Sequence, residues 1–164
     1  MTEKRKKILK EILSYVIIFL VAIGIRTYLV SPIKVNGASM NDTLLDGYFL
    51  ILNKFDHKNF DRFDIVVVSN DVIGKAAIKR VLALPGESVE IENGNLYINH
   101  KKADDPYNNF LMEDMDLIKL GNDEYFVMGD NRSVSLDSRI FGPVHESDLL
   151  GTVTYGIMPF GAIE

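Results

Sequence analysis

The chain has 164 residues, a formal net charge of −5 and no cysteine. That length suits one domain plus a short appendage, and the acidic balance argues against a protein that works by neutralising nucleic-acid phosphates. The missing cysteine excludes disulfides, thiolate catalysis and zinc–thiolate sites. The charge is uneven: residues 1–10 hold Lys4, Arg5, Lys6, Lys7 and Lys10 against Glu3, a net of +4 that leaves −9 on the rest.

Residues 12–30 read ILSYVIIFLVAIGIRTYLV, with Arg26 as the one charge. As a helix this stretch is roughly 28 Å long, close to the roughly 30 Å hydrocarbon thickness of a bilayer. Arg26 stands one turn from its end, where a long side chain reaches headgroups, and Tyr28 suits the interface. The basic cluster before the apolar run predicts a cytoplasmic tip (1–11), an anchor (12–30) and an extracytoplasmic domain (31–164). A cleaved signal peptide is the competing reading, but residues 27–32 offer no small-x-small site. A buried core helix is another, but Tyr15 to Ile25 is apolar nearly all round. With no second anchor near Gly161–Glu164, a single span is expected.

Pro32 ends any helix and opens an extended stretch. Short β-rich runs follow: Tyr48–Asn53, Phe63–Ser69, Lys75–Leu84, Glu124–Met128 and Gly151–Met158. Ser88–Glu92 and Asn95–Asn99 flank Asn93–Gly94, a strong hairpin signal. His145–Leu150 suits one helical turn, and residues 101–122 are polar and carry no clear pattern. Many short strands between Gly, Pro and Asn predict a mostly β domain, a folded-over antiparallel sheet or barrel.

Three segments carry chemistry-bearing residues. Gly37–Ala38–Ser39–Met40 places a serine after small residues that let a substrate approach the backbone, with N–H groups nearby for an oxyanion. The same run fits a capping box through Asp42, so Ser39 is equally a helix start. Lys79 lies in the apolar run Ala76–Val81 and shares a strand face with Ala77 and Val81. Burial there would lower its pKa; a fall from 10.4 to about 8 corresponds to roughly 3 kcal/mol of destabilised ammonium. A snorkelling lysine on an edge strand is the ordinary alternative. Gly129–Arg139 (GDNRSVSLDSR) is dense in polar groups after the apolar run Tyr125–Met128 and suits either a buried hydrogen-bonded network or a solvated loop. His57, His100 and His145 have no metal-ligand spacing, so surface roles are expected, and no metal or cofactor is called for.

Together the segments resemble the bacterial type I signal peptidases in their short Gram-positive form. That family has an N-terminal anchor and boxes G-x-S-M-x-P-T, K-R-V-x-G-x-P-G and G-D-N-R-x-x-S-x-D-S-R. Here they read Gly37–Thr43, Lys79–Gly86 and Gly129–Arg139, in the same order. The resemblance implies a β-rich membrane-bound endopeptidase that removes signal peptides from exported preproteins with small residues at −3 and −1, without a cofactor. It implies Ser39 as nucleophile, Lys79 as general base and Ser135 as the hydroxyl that orients the lysine. Met40 would sit in the substrate cleft; Arg80, Asp130, Arg132, Asp137 and Arg139 would shape the site. The oxyanion hole would use the Ser39 N–H; Gly37 stands where some members carry a second, hydroxyl donor. Asp42 replaces the usual proline, and a carboxylate near Lys79 would favour its protonated form. Ala83 replaces a usual glycine after the lysine strand. A self-cleaving regulator of the SOS-repressor type and a catalytically altered membrane accessory for surface-protein assembly are the alternatives.

Overall fold

In the computed structural model, residues 3–41, 43–55, 58–69, 71, 74–107 and 112–163 are described. Helix α1 (Glu3–Tyr28) leads into β1 (Val30–Lys34), followed by β2 (Phe49–Asn53), β3 (Ile65–Val68) and β4 (Ala77–Ala83). A smaller group follows: β5 (Ser88–Glu92), β6 (Asn95–Ile98), β7 (Lys101–Lys102) and β8 (Met115–Lys119). The chain then returns through β9 (Glu124–Met128), α2 (Ser138–Phe141), β10 (Val144–His145), a 3₁₀ turn (Glu146–Asp148), β11 (Leu149–Met158) and β12 (Phe160–Ala162).

Helix α1 buries none of its residues and exposes large apolar side chains on every side, among them Ile12, Phe19, Leu20 and Ile25. Such a helix has the length and composition of a membrane-spanning segment. It is longer than the apolar run alone, because Lys4 to Glu11 continue the same helix. It stops at Tyr28, since Val30 already pairs with Asn53. Pro32 lies inside β1, where its missing N–H is tolerated because β1 is a sheet edge.

The larger sheet is antiparallel, in the order β1-β2-β11-β3-β4-β9-β10, with β12 folding back onto β11. The smaller sheet, β7-β6-β5-β8, folds over one end of it. The mostly β, folded-over antiparallel architecture expected from the turn spacing is therefore what forms. Its hairpin β5–β6 turns on Asn93 and Gly94, both with positive φ (51° and 73°), the pair of left-handed residues that a tight twisted hairpin requires.

Strands β3 and β9 are apolar without alternation because both of their faces are covered. Ile65 and Val67 pack with Met40, Leu44 and Leu50, while Val66 and Val68 pack with Val81, Tyr125 and Val127. A third cluster joins Phe126 and Met128 of β9 to Val89, Ile91 and Leu96 of the smaller sheet. Ala83 sits fully buried in that cluster, beside a register shift between β4 and β9. β7 and β8 escaped the sequence pattern because they are short and largely exposed.

Candidate active site

No helix begins at Ser39. The chain there is a series of turns, with Asn41 N–H bonding Ala38 O at 3.2 Å and Leu44 N–H bonding Met40 O at 2.8 Å. Met40 is almost fully buried in the core with Val35 and Leu44, which pins the half-buried Ser39 beside it. Gly37 takes φ = 96°, a left-handed value that favours glycine, and its N–H bonds Asp46 Oδ1 at 2.8 Å.

Lys79 and Arg80 follow one another on β4, opposite Val66 and Ile65 of β3, and each is 2% exposed. Arg80 is held by a bidentate pair with Asp130, Nε to Oδ1 at 2.9 Å and Nη2 to Oδ2 at 2.8 Å. Its Nη1 donates to Phe63 O at 2.8 Å, and its guanidinium lies 3.9 Å from the centroid of the Tyr107 ring. Thr43 Oγ1 donates to Asp130 Oδ2 at 2.6 Å. Asp130 thus ties together the segments of Ser39, Lys79 and the Gly129–Arg139 run.

Lys79 has no salt bridge among the described residues. Burial is the main cause that lowers its pKa to about 8; the Lys75 and Arg139 charges push the same way, against Asp137 and Asp130. Both of those carboxylates are buried and bound to arginines, so neither is free to pair with it.

The Gly129–Arg139 run folds as a network, not a solvated loop. Asp137 accepts the Gly129 N–H at 3.1 Å and pairs with Arg139 at 2.8 Å, while Arg139 Nη2 donates to Arg132 O. Arg132 Nε donates to Gly129 O at 3.0 Å, and its Nη groups pair with the carboxylate of Asp105. The Asn131 N–H bonds Ser39 O at 3.0 Å, joining this run to the serine segment. Gly129 packs between them: a Cβ there would fall 2.3 Å from both Ser39 O and Ser135 Oγ. Ser135 therefore lies close to the Ser39 backbone. Its Oγ is buried and makes no hydrogen bond, so the expected link to Lys79 is not formed in this conformation.

Ser39 and Lys79 line one cleft of about 470 Å³. Val35, Ala76, Ala77 and Ile78 supply small and apolar wall, and Val134 (62% exposed) and Leu136 (44% exposed) stand at its rim. A larger cavity of about 620 Å³ lies along Thr43, Tyr107 and Phe160; neither Ser39 nor Lys79 lines it. Asp105 and Tyr107, which touch Arg132 and Arg80, and Lys75, which lines the cleft, are residues that the sequence does not single out. Thr43 is flagged by its place in the first box; Asp105 and Tyr107 lie in the unpatterned polar stretch. His100 and His145 are exposed beside Glu90 and Asp123, as expected for surface residues. Asp42 and His57 lie outside the described residues, as do 108–111. No cluster able to hold a metal occurs among the described residues.

A serine and a buried lysine that is unpaired among the described residues thus share one cleft on a curled antiparallel sheet. The family model described as "Signal peptidase, peptidase S26" matches residues 8–158. Signal peptidase I P of Bacillus subtilis subsp. natto is 36% identical, over 96% of this chain and 92% of its own length. Signal peptidase IB of Staphylococcus aureus (strain COL) is 33% identical, over 95% and 92%. A crystal structure of a signal peptidase I from Enterococcus faecalis V583 superposes with a TM-score of 0.53 at 32% identity, covering 59% of this chain and 98% of that one. The chain belongs to the signal peptidase family, peptidase S26. Peptidase names among these relatives give the accessory and self-cleaving-regulator alternatives no support.

Proposed function

We propose that this chain is a membrane-anchored endopeptidase that removes signal peptides from exported preproteins, with Ser39 as nucleophile and Lys79 as general base. The observation that carries this reading is the shared cleft of Ser39 and a buried lysine whose pKa is lowered to about 8. A neutral amine accepts a proton, whereas an ammonium cannot, and near pH 8 about half of such lysines are neutral.

In the acylation step the Ser39 oxygen forms a bond to the scissile carbonyl carbon and its proton passes to Lys79 Nζ. Collapse of the tetrahedral species breaks the C–N bond, and the ammonium returns that proton to the leaving amine. In the second step water attacks the ester, Lys79 takes its proton, and Ser39 is regenerated with that proton. The Ser39 N–H is the backbone donor nearest the developing oxyanion. Ser135 Oγ, buried without a partner beside the same backbone, suits the role of orienting the amine once substrate has closed the cleft. Asp130, bound by Arg80 and Thr43, fixes the three segments relative to one another; Arg139–Asp137 braces the third run internally and Arg132–Asp105 ties it to residue 105.

Small side chains at −3 and −1 of the preprotein fit walls made by Val35, Ala76, Ala77 and Ile78. Helix α1 supplies the anchor, and the basic residues at its start favour a cytoplasmic N-terminus with residues 31–164 outside.

The test is incubation of the detergent-solubilised full chain with a preprotein and sequencing of the new N-terminus. Cleavage after an A-x-A-like site, abolished by Ser39→Ala and by Lys79→Ala, is the expected result. Cleavage that survives either substitution sinks the assignment.

A further inference from the structure

The cleft holds more positive charge than its catalytic pair requires. Lys34, the last residue of β1, and Lys75, in the turn that leads into β4, both line it. Both are exposed, neither forms a salt bridge, and no acidic side chain lines the cleft among the described residues. Lys34 Nζ lies 5.8 Å from the Phe49 ring centroid, a contact that leaves the ammonium its charge. The carboxylates that act on Lys79, Asp130 and Asp137, are buried and bound to Arg80 and Arg139, so they do not compensate the surface. This basic spot stands on a chain of net charge −5.

We propose that Lys34 and Lys75 are specificity-determining residues, which favour an acidic side chain and disfavour a basic one in the extended substrate segment around the scissile bond. The inference rests on the cleavage reading above and adds a charge rule to it. A peptide laid in the cleft displaces water, so charges facing each other there interact more strongly than on open surface. A substrate carboxylate supplies a counter-ion absent from the described lining, and a substrate lysine meets like charge. Lys75 lines the same cleft as Ser39 and Lys79, and its charge acts on Lys79. A carboxylate paired with Lys75 weakens that action, so the preference is expected in KM and not as a gain in kcat.

The experiment uses the full chain in detergent and matched peptides carrying Glu, Gln or Lys at one position, scanned through the residues on both sides of the cut. At one position or more, KM for Glu should fall below that for Gln by about threefold and KM for Lys should rise, the worth of one exposed ion pair. The ratio should collapse in Lys34→Gln or Lys75→Gln, and in high salt. Equilibrium binding of the same peptides to Ser39→Ala gives the ratio without catalysis. Flat ratios at every position with a readily cleaved Gln peptide overturn this inference and leave the cleavage reading intact. An uncleaved Gln peptide overturns the cleavage reading, and the binding ratio then decides the charge rule by itself. If the lysine variants lose binding to anionic phospholipid vesicles while peptide ratios stay unchanged, the lysines serve a lipid surface and the proposal fails.

Discussion

Lys79 and Arg80 are adjacent on one strand, equally buried and both cationic by type, yet their surroundings differ in kind. Arg80 is surrounded by acceptors: two oxygens of Asp130, the Phe63 carbonyl and the face of Tyr107. Lys79 meets apolar wall and an open cleft, and it pairs with no carboxylate among the described residues. Burial with partners keeps a charge in place, and burial without them makes the charge easy to lose. A strand that alternates its faces can hold both situations side by side, one serving the fold and the other the proposed chemistry.

The largest way to break this contrast is to remove the amine. Lys79→Met keeps the volume and the apolar stem but removes the base proposed for Ser39, so kcat should fall by about three orders of magnitude or more. The fold should respond in the opposite direction. The folded chain releases the Lys79 proton near pH 8, whereas the unfolded chain holds it to about 10.4, so the unfolded state binds more protons between those values. Lys79→Met should therefore be the more stable protein at pH 7, by up to about 3 kcal/mol in denaturant titration. That advantage should shrink as pH rises through the window from about 8 to 10.4, as desolvation of an ammonium ceases to matter. A loss of stability at pH 7 would contradict an unpaired, desolvated lysine.

Arg80→Met is the mirror experiment and comes next in size. It strands the Asp130 carboxylate with the Thr43 hydroxyl as its remaining side-chain partner, which should cost about 3–5 kcal/mol. Replacing both members, as Arg80→Met with Asp130→Leu, should recover part of that loss, because no buried charge is then left over. Thermal unfolding of the single and double variants measures the coupling.

How legible the two lysine-strand residues were in the sequence differs as well. Apolar neighbours announced the burial of Lys79, and turn chemistry at Asn93–Gly94 announced the hairpin, since both depend on residues a few positions apart. Nothing local to Arg80 announced its burial; its partner Asp130 is fifty positions away. The same holds for Asp105, which pairs with Arg132 from a stretch without apolar periodicity, and for β8, whose side chains are mostly exposed. The family resemblance singled out the boxes, but what those charges touch is a property of the folded chain.

Ser135 sharpens the contrast at smaller scale. Its Oγ has no partner here, so Ser135→Ala removes no hydrogen bond from this conformation and should leave Tm nearly unchanged. If the hydroxyl orients the Lys79 amine when substrate is bound, kcat should still fall, by about tenfold for one hydrogen bond of ordinary strength. An unchanged kcat would confine Ser135 to packing against Gly129.

The smallest effect concerns Lys75, which acts on Lys79 through space. The ascending limb of kcat/KM should have its midpoint near pH 8 in the free enzyme, because that limb reports the uncomplexed base. Five influences set it: burial, Lys75 and Arg139 lower the midpoint, and Asp137 and Asp130 raise it. Lys75→Gln removes one of the lowering influences while leaving the buried pairs untouched. The midpoint should therefore move up, toward the ordinary lysine value, and the variant should be slowest relative to wild type below pH 8. At higher pH the two profiles should converge on a neutral substrate, since Lys79 is then neutral in both proteins. A midpoint that stays fixed would mean that Lys75 takes no part in lowering the Lys79 pKa, and that the difference between Lys79 and Arg80 owes nothing to that neighbouring cation.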